Sequence, residues 1–146
     1  MSEKTAVSHW KSTLLQLPDT LFFEIVKNYL GPLKTPFNKH SIINKLVVFL
    51  QKEETRRRIL TLLDDRDREV IFLVQTLGTI TIDDLLSFYN NERKYLDIHR
   101  HIINIEERLI LYRNRETEPQ EIRVNPLLIS TLNADGGKNA FISWKQ

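Results

Sequence analysis

Apolar residues recur at helical spacing along most of the chain, and this pattern limits the possible folds more than any other feature. Side chains three and four positions apart share one face of a helix, so each such stripe predicts a helix with one buried face. Gly31 and Pro32 are typical of a helix end, and Asn38 is a good N-cap for the helix that follows. Four stripes precede residue 64, at about 5–15, 19–30, 39–50 and within 51–63.

The pattern changes after residue 63. A helix between Asp65 and Gly78 precedes a short β-type link, and Thr81 caps a short helix that reaches about residue 89. A longer helix follows over about 93–105. The stretches "LILYR" and "EIRV" are rich in β-formers and are joined by a polar segment that contains a proline, which predicts an antiparallel hairpin. "NPLL" starts a short final helix, and "AFISWKQ" is a last strand or a tail.

These elements predict a mainly α fold in three parts. We expect an N-terminal helical unit at 1–63, a unit of helices with a small β-hairpin at 64–132, and a C-terminal tail or short strand at 133–146. Six apolar side chains are expected to form the nucleus of the second unit, namely Val70, Leu73, Leu85, Leu96, Ile102 and Leu111.

Composition excludes several classes of function. With no cysteine among 146 residues, the chain has no disulfide, no thiolate metal site and no thiol nucleophile. The chain shows no signal-peptide core and no apolar run of membrane-spanning length, so we expect a cytoplasmic protein without membrane contact. The net charge of +2 is too small to require a nucleic-acid partner. The charge is uneven, however, because residues 1–60 hold ten basic and five acidic residues, and residues 61–146 hold eleven and fourteen.

The order of the elements and several short stretches carry three resemblances to known families. The order of elements over 65–124 is similar to that of a winged helix: a helix, a short strand, a helix, a turn, a helix and a hairpin. The chain looks like the accessory N-terminal region found beside bacterial XPB-type helicases. The stretches that suggest this are "LPDTLFFEIVKNYLG" near the start of the region and "EERLILYR…EIRVNPLL" near its end. This implies an accessory domain or a stand-alone relative that acts beside a helicase or polymerase component. Residues 17–50 resemble a SAP-like helix–linker–helix, with matching positions at Gly31, Lys39, Ile42, Ile43 and Leu46.

Sequence motifs of catalysis are missing. The chain has no Gly-rich phosphate loop of the GxxxxGK[ST] type and no nucleophile elbow, and its histidines lack metal-ligand spacing. The carboxylates of "DDRD" lie at a predicted helix start, where capping and the helix dipole explain them. We therefore expect no enzymatic activity, no cofactor, no bound metal and no small-molecule substrate.

The first candidate for nucleic-acid contact is the helix over about 93–105. Its inward stripe is expected at Leu96, Ile102 and Ile103, with His99 at the boundary. Its outward residues could read a groove, because arginine can pair with guanine and asparagine with adenine. Between residues 92 and 108, however, four acidic residues match four basic ones, so a solvated helix face is the alternative. The candidate contacts are Arg93, Lys94, Arg100, His101 and Asn104.

The hairpin and the SAP-like stretch supply the other candidates. In the hairpin, glutamates lie among the arginines and would repel phosphates, so a solvated hairpin is the alternative. Between Leu30 and Gln51 no acidic residue occurs, and lysines near a helix N-terminus could hold phosphates or simply face water. The candidates are Arg113 and Arg115 in the hairpin, and Lys34, Lys39, His40 and Lys45 in the SAP-like stretch.

We expect a non-enzymatic nucleic-acid-binding module, with double-stranded DNA favoured over RNA. The alternative is a winged-helix module that docks another protein and binds no nucleic acid, because one fold often serves either role.

Overall fold

Helices form most of the chain in the computed structural model, which describes residues 3–32, 38–78, 80–89 and 92–134, without the side chains of residues 3 and 92–96. The predicted mainly α fold with a small antiparallel sheet is confirmed. Within these ranges the helices are α1 (Glu3–Leu15), α2 (Asp19–Leu30), α3 (Lys39–Leu50), α4 (Glu53–Thr61), α5 (Asp65–Leu77), α6 (Ile82–Ser87) and α7 (Glu92–Glu107). The strands are β1 (Ile80–Thr81), β2 (Leu111–Asn114) and β3 (Glu121–Val124), and a 3-10 turn at Pro126–Leu128 leads into a helix over 129–134.

The helices of the first unit begin and end close to their predicted caps. α2 is followed by Gly31, whose φ of 74° lies in the left-handed region that favours glycine. Asn38 is the N-cap of α3, and its side-chain oxygen accepts a hydrogen bond from the Ser41 amide at 3.2 Å. Across the described ranges, no helix combines the length and the hydropathy needed to cross a membrane.

The second unit has the predicted order of elements. Asp64, and not Asp65 as expected, is the N-cap of α5, because Asp64 and Asp67 bond to each other's backbone amides in a capping box. β2 and β3 form the predicted antiparallel hairpin, in which Leu111 lies opposite Val124. β1 also pairs with β3, and the sheet order is therefore β1-β3-β2.

One hydrophobic core runs through both units. Trp10 of α1 is fully buried, and α1 contacts both β2 and the 3-10 turn. Ile102 of α7 and Leu111 of β2 belong to the same buried cluster as Phe22 of α2 and Leu46 of α3. The two units therefore share apolar side chains, and this packing brings α1 and α2 beside α7 and β2.

The buried stripe of α7 differs from the expected one. The expectation that Ile103 faces inward is wrong, since this side chain is 41 % exposed. Ile102 is buried as expected, and Ile98 and Ile105, which were not expected on this stripe, are buried with it at positions i, i+4 and i+7 of one helix face. Several predictions lie outside what the structure describes, namely those on Lys34, on the side chains of Arg93, Lys94 and Leu96, and on the tail or strand after residue 134.

Candidate functional site

Lys39 turns inward at the start of α3. Its Nζ atom donates to the carbonyl oxygens of Leu15 at 3.4 Å and Leu17 at 2.7 Å, and lies 2.8 Å from a carboxylate oxygen of Asp19. The ammonium also lies 5.2 Å from the ring centroid of Phe22. Since an ammonium has three N–H donors, these acceptors engage all of them. Lys39 therefore stabilises the junction of α1 and α2, and the expectation that it contacts a phosphate does not suit its position.

Replacing Lys39 with methionine is expected to lower the free energy of unfolding by about 1.5–3 kcal/mol, because charged hydrogen bonds are lost and carbonyl groups are left unpaired. Urea denaturation followed by far-UV circular dichroism measures this change. Lys45→Met is the matched control, since Lys45 is exposed on the same helix and its replacement should change stability by at most about 0.5 kcal/mol. Equal stabilities of the two variants would contradict the internal role of Lys39.

The exposed side of α3, here called the α3 outer face, carries polar and basic side chains. His40, Ser41, Asn44 and Lys45 are exposed there, and together with Val48 they surround a shallow depression. Imidazole, hydroxyl, amide and ammonium groups can all donate hydrogen bonds to a phosphate. The structure thus brings together two of the predicted contacts, His40 and Lys45, on a surface whose lining includes no carboxylate.

The outward residues of α7 are engaged to different degrees. His101 faces α5, where its Nδ1 atom lies 2.6 Å from Oδ1 of Asp67, a residue that is 2 % exposed. Asn104 accepts a hydrogen bond from Arg108 at 3.3 Å. Arg100 is exposed and has no ion pair among the described side chains. Of the predicted groove contacts with described side chains, Arg100 is the one without a hydrogen bond or ion pair to another described residue.

The arginines of the hairpin also differ in whether they form ion pairs within the chain. Arg113 donates from Nε to a carboxylate oxygen of Glu106 in α7 at 2.9 Å, and Arg123 pairs with Glu121 at 3.2 Å. Arg115 is exposed in the connection between β2 and β3, without an ion pair to any described residue. Arg113 therefore joins the hairpin to α7, whereas Arg115 is open to a partner.

Among the described residues, one group has a geometry that could hold a metal ion. It consists of Asp64, Asp67 and His101, whose potential ligand atoms lie within 4.8 Å of one another. Sequence patterns do not reveal this group, since Asp67 and His101 are 34 positions apart. Oδ1 of Asp67 faces His101, Oδ2 of Asp67 accepts from the Asp64 amide, and Asp64 accepts from the Asp67 amide. Hydrogen bonds thus account for the arrangement as an N-cap of α5 that is tied to α7.

A half-enclosed pocket of about 260 Å³ lies where α1 and α2 meet α7 and β2. Trp10, Leu14 and Leu111 are almost completely buried in its wall, whereas Ile103 is partly exposed. His99 also lines the pocket, and its Nδ1 atom is buried without a hydrogen-bond partner among the described atoms. No local motif predicts this pocket, because its lining comes from several separate elements.

Tyr29 holds α2 against α7 beside the pocket. Its hydroxyl group donates a hydrogen bond of 2.7 Å to the backbone carbonyl of Arg108. Burial raises the pKa of Tyr29 to about 12, although the nearby charge of Arg108 acts in the opposite direction. The hydroxyl therefore stays protonated near neutral pH and keeps its role as a donor.

A comparison with known protein families matched the N-terminal part of the chain. The model of a family designated TP_0021_N, described as an N-terminal domain, matches residues 1–51, which is about a third of the chain. The matched range includes α1, α2 and α3 and ends one residue after α3. Searches of curated proteins and of solved structures gave no match.

Proposed function

We propose that this chain is a non-enzymatic, cytoplasmic nucleic-acid-binding module that contacts the phosphate backbone through the α3 outer face. The observation that carries the proposal is the cluster of His40, Ser41, Asn44 and Lys45 on one exposed surface. The segment from residue 31 to 50 contains no acidic residue, so none of its side chains repels a polyanion. Lysines that neutralise phosphates and release counterions supply most of the affinity of such surfaces.

Residues 64–132 are proposed as a winged helix that serves mainly as a scaffold. The order α5, β1, α6, α7, β2 and β3 supports this assignment. Two predicted contacts, His101 and Arg113, are engaged by Asp67 and Glu106. Withdrawing either one to reach DNA would take a partner from the buried carboxylate of Asp67 or the partly buried one of Glu106, at a cost of about 1–3 kcal/mol. The α3 outer face needs no such rearrangement.

Duplex DNA is the proposed target, and the resemblance to the helicase-associated region suggests that the module serves a helicase or polymerase component. Contacts from short polar side chains and a lysine to phosphates position a duplex without reading its sequence. We therefore expect binding without sequence preference, with a Kd of about 10⁻⁴–10⁻⁶ M at physiological salt.

Replacing Lys45 with glutamate is expected to weaken duplex binding and to make it less sensitive to salt. Each phosphate contact contributes about 0.9 to the slope of log K against log salt concentration, so the slope should become shallower by about that amount. Fluorescence anisotropy with a short labelled DNA duplex, between about 50 and 200 mM salt, measures both effects.

Lys27→Glu is the matched control, because Lys27 is an exposed lysine of α2 outside the α3 outer face and its replacement changes the net charge equally. Circular dichroism should show the same helical content in both variants. Equal losses of binding in the two variants, or no binding of the wild-type chain at low salt, would overturn the proposal.

Protein docking is the second candidate function, and the pocket between the two units favours it. This pocket has an apolar wall, and the partly exposed Ile103 lies in its lining. Anchor residues of a partner protein fill depressions of this kind in protein interfaces.

A further inference from the structure

His101 of α7 and the two aspartates of the α5 cap bring three potential metal ligands together, and the three residues are here called the α5–α7 triad. The Nδ1 atom of His101 lies 2.6 Å from Oδ1 of Asp67 and 3.8 Å from Oδ1 of Asp64. One imidazole nitrogen and two carboxylate oxygens lie within 4.8 Å of one another. The spacing of the histidines in the sequence predicts no metal site, whereas the packing of α5 against α7 assembles this donor set.

The capping box holds both carboxylates in place and leaves one oxygen of each toward the triad. Asp64 accepts the Asp67 amide through Oδ1, and Asp67 accepts the Asp64 amide through Oδ2. Oδ1 of Asp67 faces His101, and Oδ2 of Asp64 accepts no hydrogen bond from the described residues. The helix dipole at this end amounts to about half a positive charge, which two carboxylates outweigh. The helix start therefore does not prevent a cation from binding.

The burial of Asp67 is an independent indication of a cation. Its side chain is only 3 % exposed, and buried charges in proteins are generally paired or coordinate a metal. Asp64, Asp67 and Asp97 form no ion pair with a described lysine or arginine, and each has His101 as its ionic neighbour. One imidazole thus faces three carboxylates and compensates one negative charge at most. A divalent ion removes the remaining excess.

The donor set favours zinc or a similar transition-metal ion over magnesium and calcium. Imidazole nitrogen suits zinc, copper, iron and nickel, whereas magnesium and calcium prefer oxygen ligands alone. Tetrahedral zinc with bonds of about 2.0–2.2 Å holds its ligand atoms about 3.3–3.5 Å apart. The contacts of His101 at 2.6 and 3.8 Å lie on either side of this range, so small side-chain rotations suffice. The ion takes the place of the proton between Nδ1 and Oδ1 of Asp67, and this proton leaves to the solvent.

We propose that the α5–α7 triad binds a zinc-like divalent transition-metal ion through Nδ1 of His101 and one carboxylate oxygen each of Asp64 and Asp67. Water completes the coordination on the exposed side of Asp64. Oδ2 of Asp97 lies 3.8 Å from Nε2 of His101, on the side where an outer carboxylate orients a metal-binding imidazole. The bound ion links α5 to α7. This inference is independent of DNA contacts at the α3 outer face.

Calorimetric titration of zinc chloride into the untagged full chain tests the proposal. We expect one ion per chain, proton release on binding, and a higher urea midpoint with zinc, because the ion binds the folded state. Asp64→Ser should weaken zinc binding about tenfold or more, since it removes a ligand, whereas serine is as good an N-cap as aspartate and keeps the helix start. Asp65→Ser is the matched control, because Asp65 is exposed in the same turn and its loss changes the charge equally.

His101→Ala supplies a second variant that removes the nitrogen ligand, and zinc should then no longer bind at this site. Circular dichroism before each titration checks that the variants are folded. Three outcomes would overturn the proposal: no zinc binding by the wild-type chain at micromolar concentrations, equal zinc affinities of Asp64→Ser and Asp65→Ser, or tighter binding of calcium than of zinc. Failure of the wild-type chain to bind DNA leaves the zinc result intact, so the two proposals fail separately.

Discussion

Replacing Trp10 with alanine is expected to lower the free energy of unfolding by about 3–5 kcal/mol, because truncating a buried tryptophan removes apolar contacts and leaves a cavity. Trp10 is fully buried in α1, which contacts β2 and the 3-10 turn of the second unit. Since the core is shared, neither unit keeps a complete core without this side chain. A loss of this size is a large part of the stability of about 5–15 kcal/mol typical of a domain, and both units should unfold in one transition.

Urea denaturation with two probes measures this effect. Far-UV circular dichroism reports the helices of both units, and the methyl NMR signal of Ile122, which is fully buried in β3, reports the sheet. The midpoints from the two probes should coincide and fall together in the variant. Leu62→Ala, at an exposed site, should change stability by at most about 0.5 kcal/mol. An unchanged midpoint for Ile122 would show that the second unit folds without α1.

The ends of the helices can be predicted from the sequence because their signals are local. Asn38 and Thr81 are N-caps as expected, and each side-chain oxygen accepts a hydrogen bond from the amide three residues later. The hairpin is equally local, since β2 and β3 are joined by a short polar connection. Each of these features depends on residues within a few positions of one another, so their spacing in the chain carries the information.

Contacts between distant segments decide the candidate sites, and the sequence does not predict them. Lys39 lies in a stretch without acidic residues and so looks free, but its acceptors include backbone carbonyls of Leu15 and Leu17. Every residue has a carbonyl, so a sequence cannot show which one a lysine will reach. The pocket between the two units has the same origin, because it exists only once they have packed together.

The buried face of α7 shows a different limit of sequence patterns. Ile102, Ile103 and Ile105 lie close together in the stretch "HIINI", and adjacent residues of a helix point about 100° apart. Ile102 and Ile103 therefore cannot both point into the core. Which of the two is buried depends on how α7 packs against α5 and the sheet. Ile102 is buried, whereas Ile103 is partly exposed and lines the pocket between the two units.

Replacing Asp67 with alanine is expected to lower the free energy of unfolding by about 2–5 kcal/mol, because it removes a hydrogen bond to a buried carboxylate, at about 1.5–3 kcal/mol, and a capping-box bond, at about 0.5–2 kcal/mol. The Asp67 carboxylate lies 2.6 Å from His101 and also accepts a hydrogen bond from the Asp64 amide. Its loss leaves both groups without this acceptor, and it loosens α5 from α7. Urea denaturation of the two single variants and the double variant, with His101→Ala as the second change, measures the coupling. The double variant should lose less than the two single losses combined, by about 0.5–3 kcal/mol, because both changes remove one contact.

The neighbouring Asp65 distinguishes this pairing from the general effect of a carboxylate at a helix start. Asp65 is exposed in the first turn of α5, so Asp65→Ala should cost only the helix-dipole contribution of about 0.3–1 kcal/mol. If Asp67→Ala costs no more than Asp65→Ala, or if the losses of Asp67→Ala and His101→Ala simply add, the pair does not join α5 to α7. His101 would then be free to turn outward, and α7 would regain a residue for groove contact that the present geometry assigns to the α5 cap.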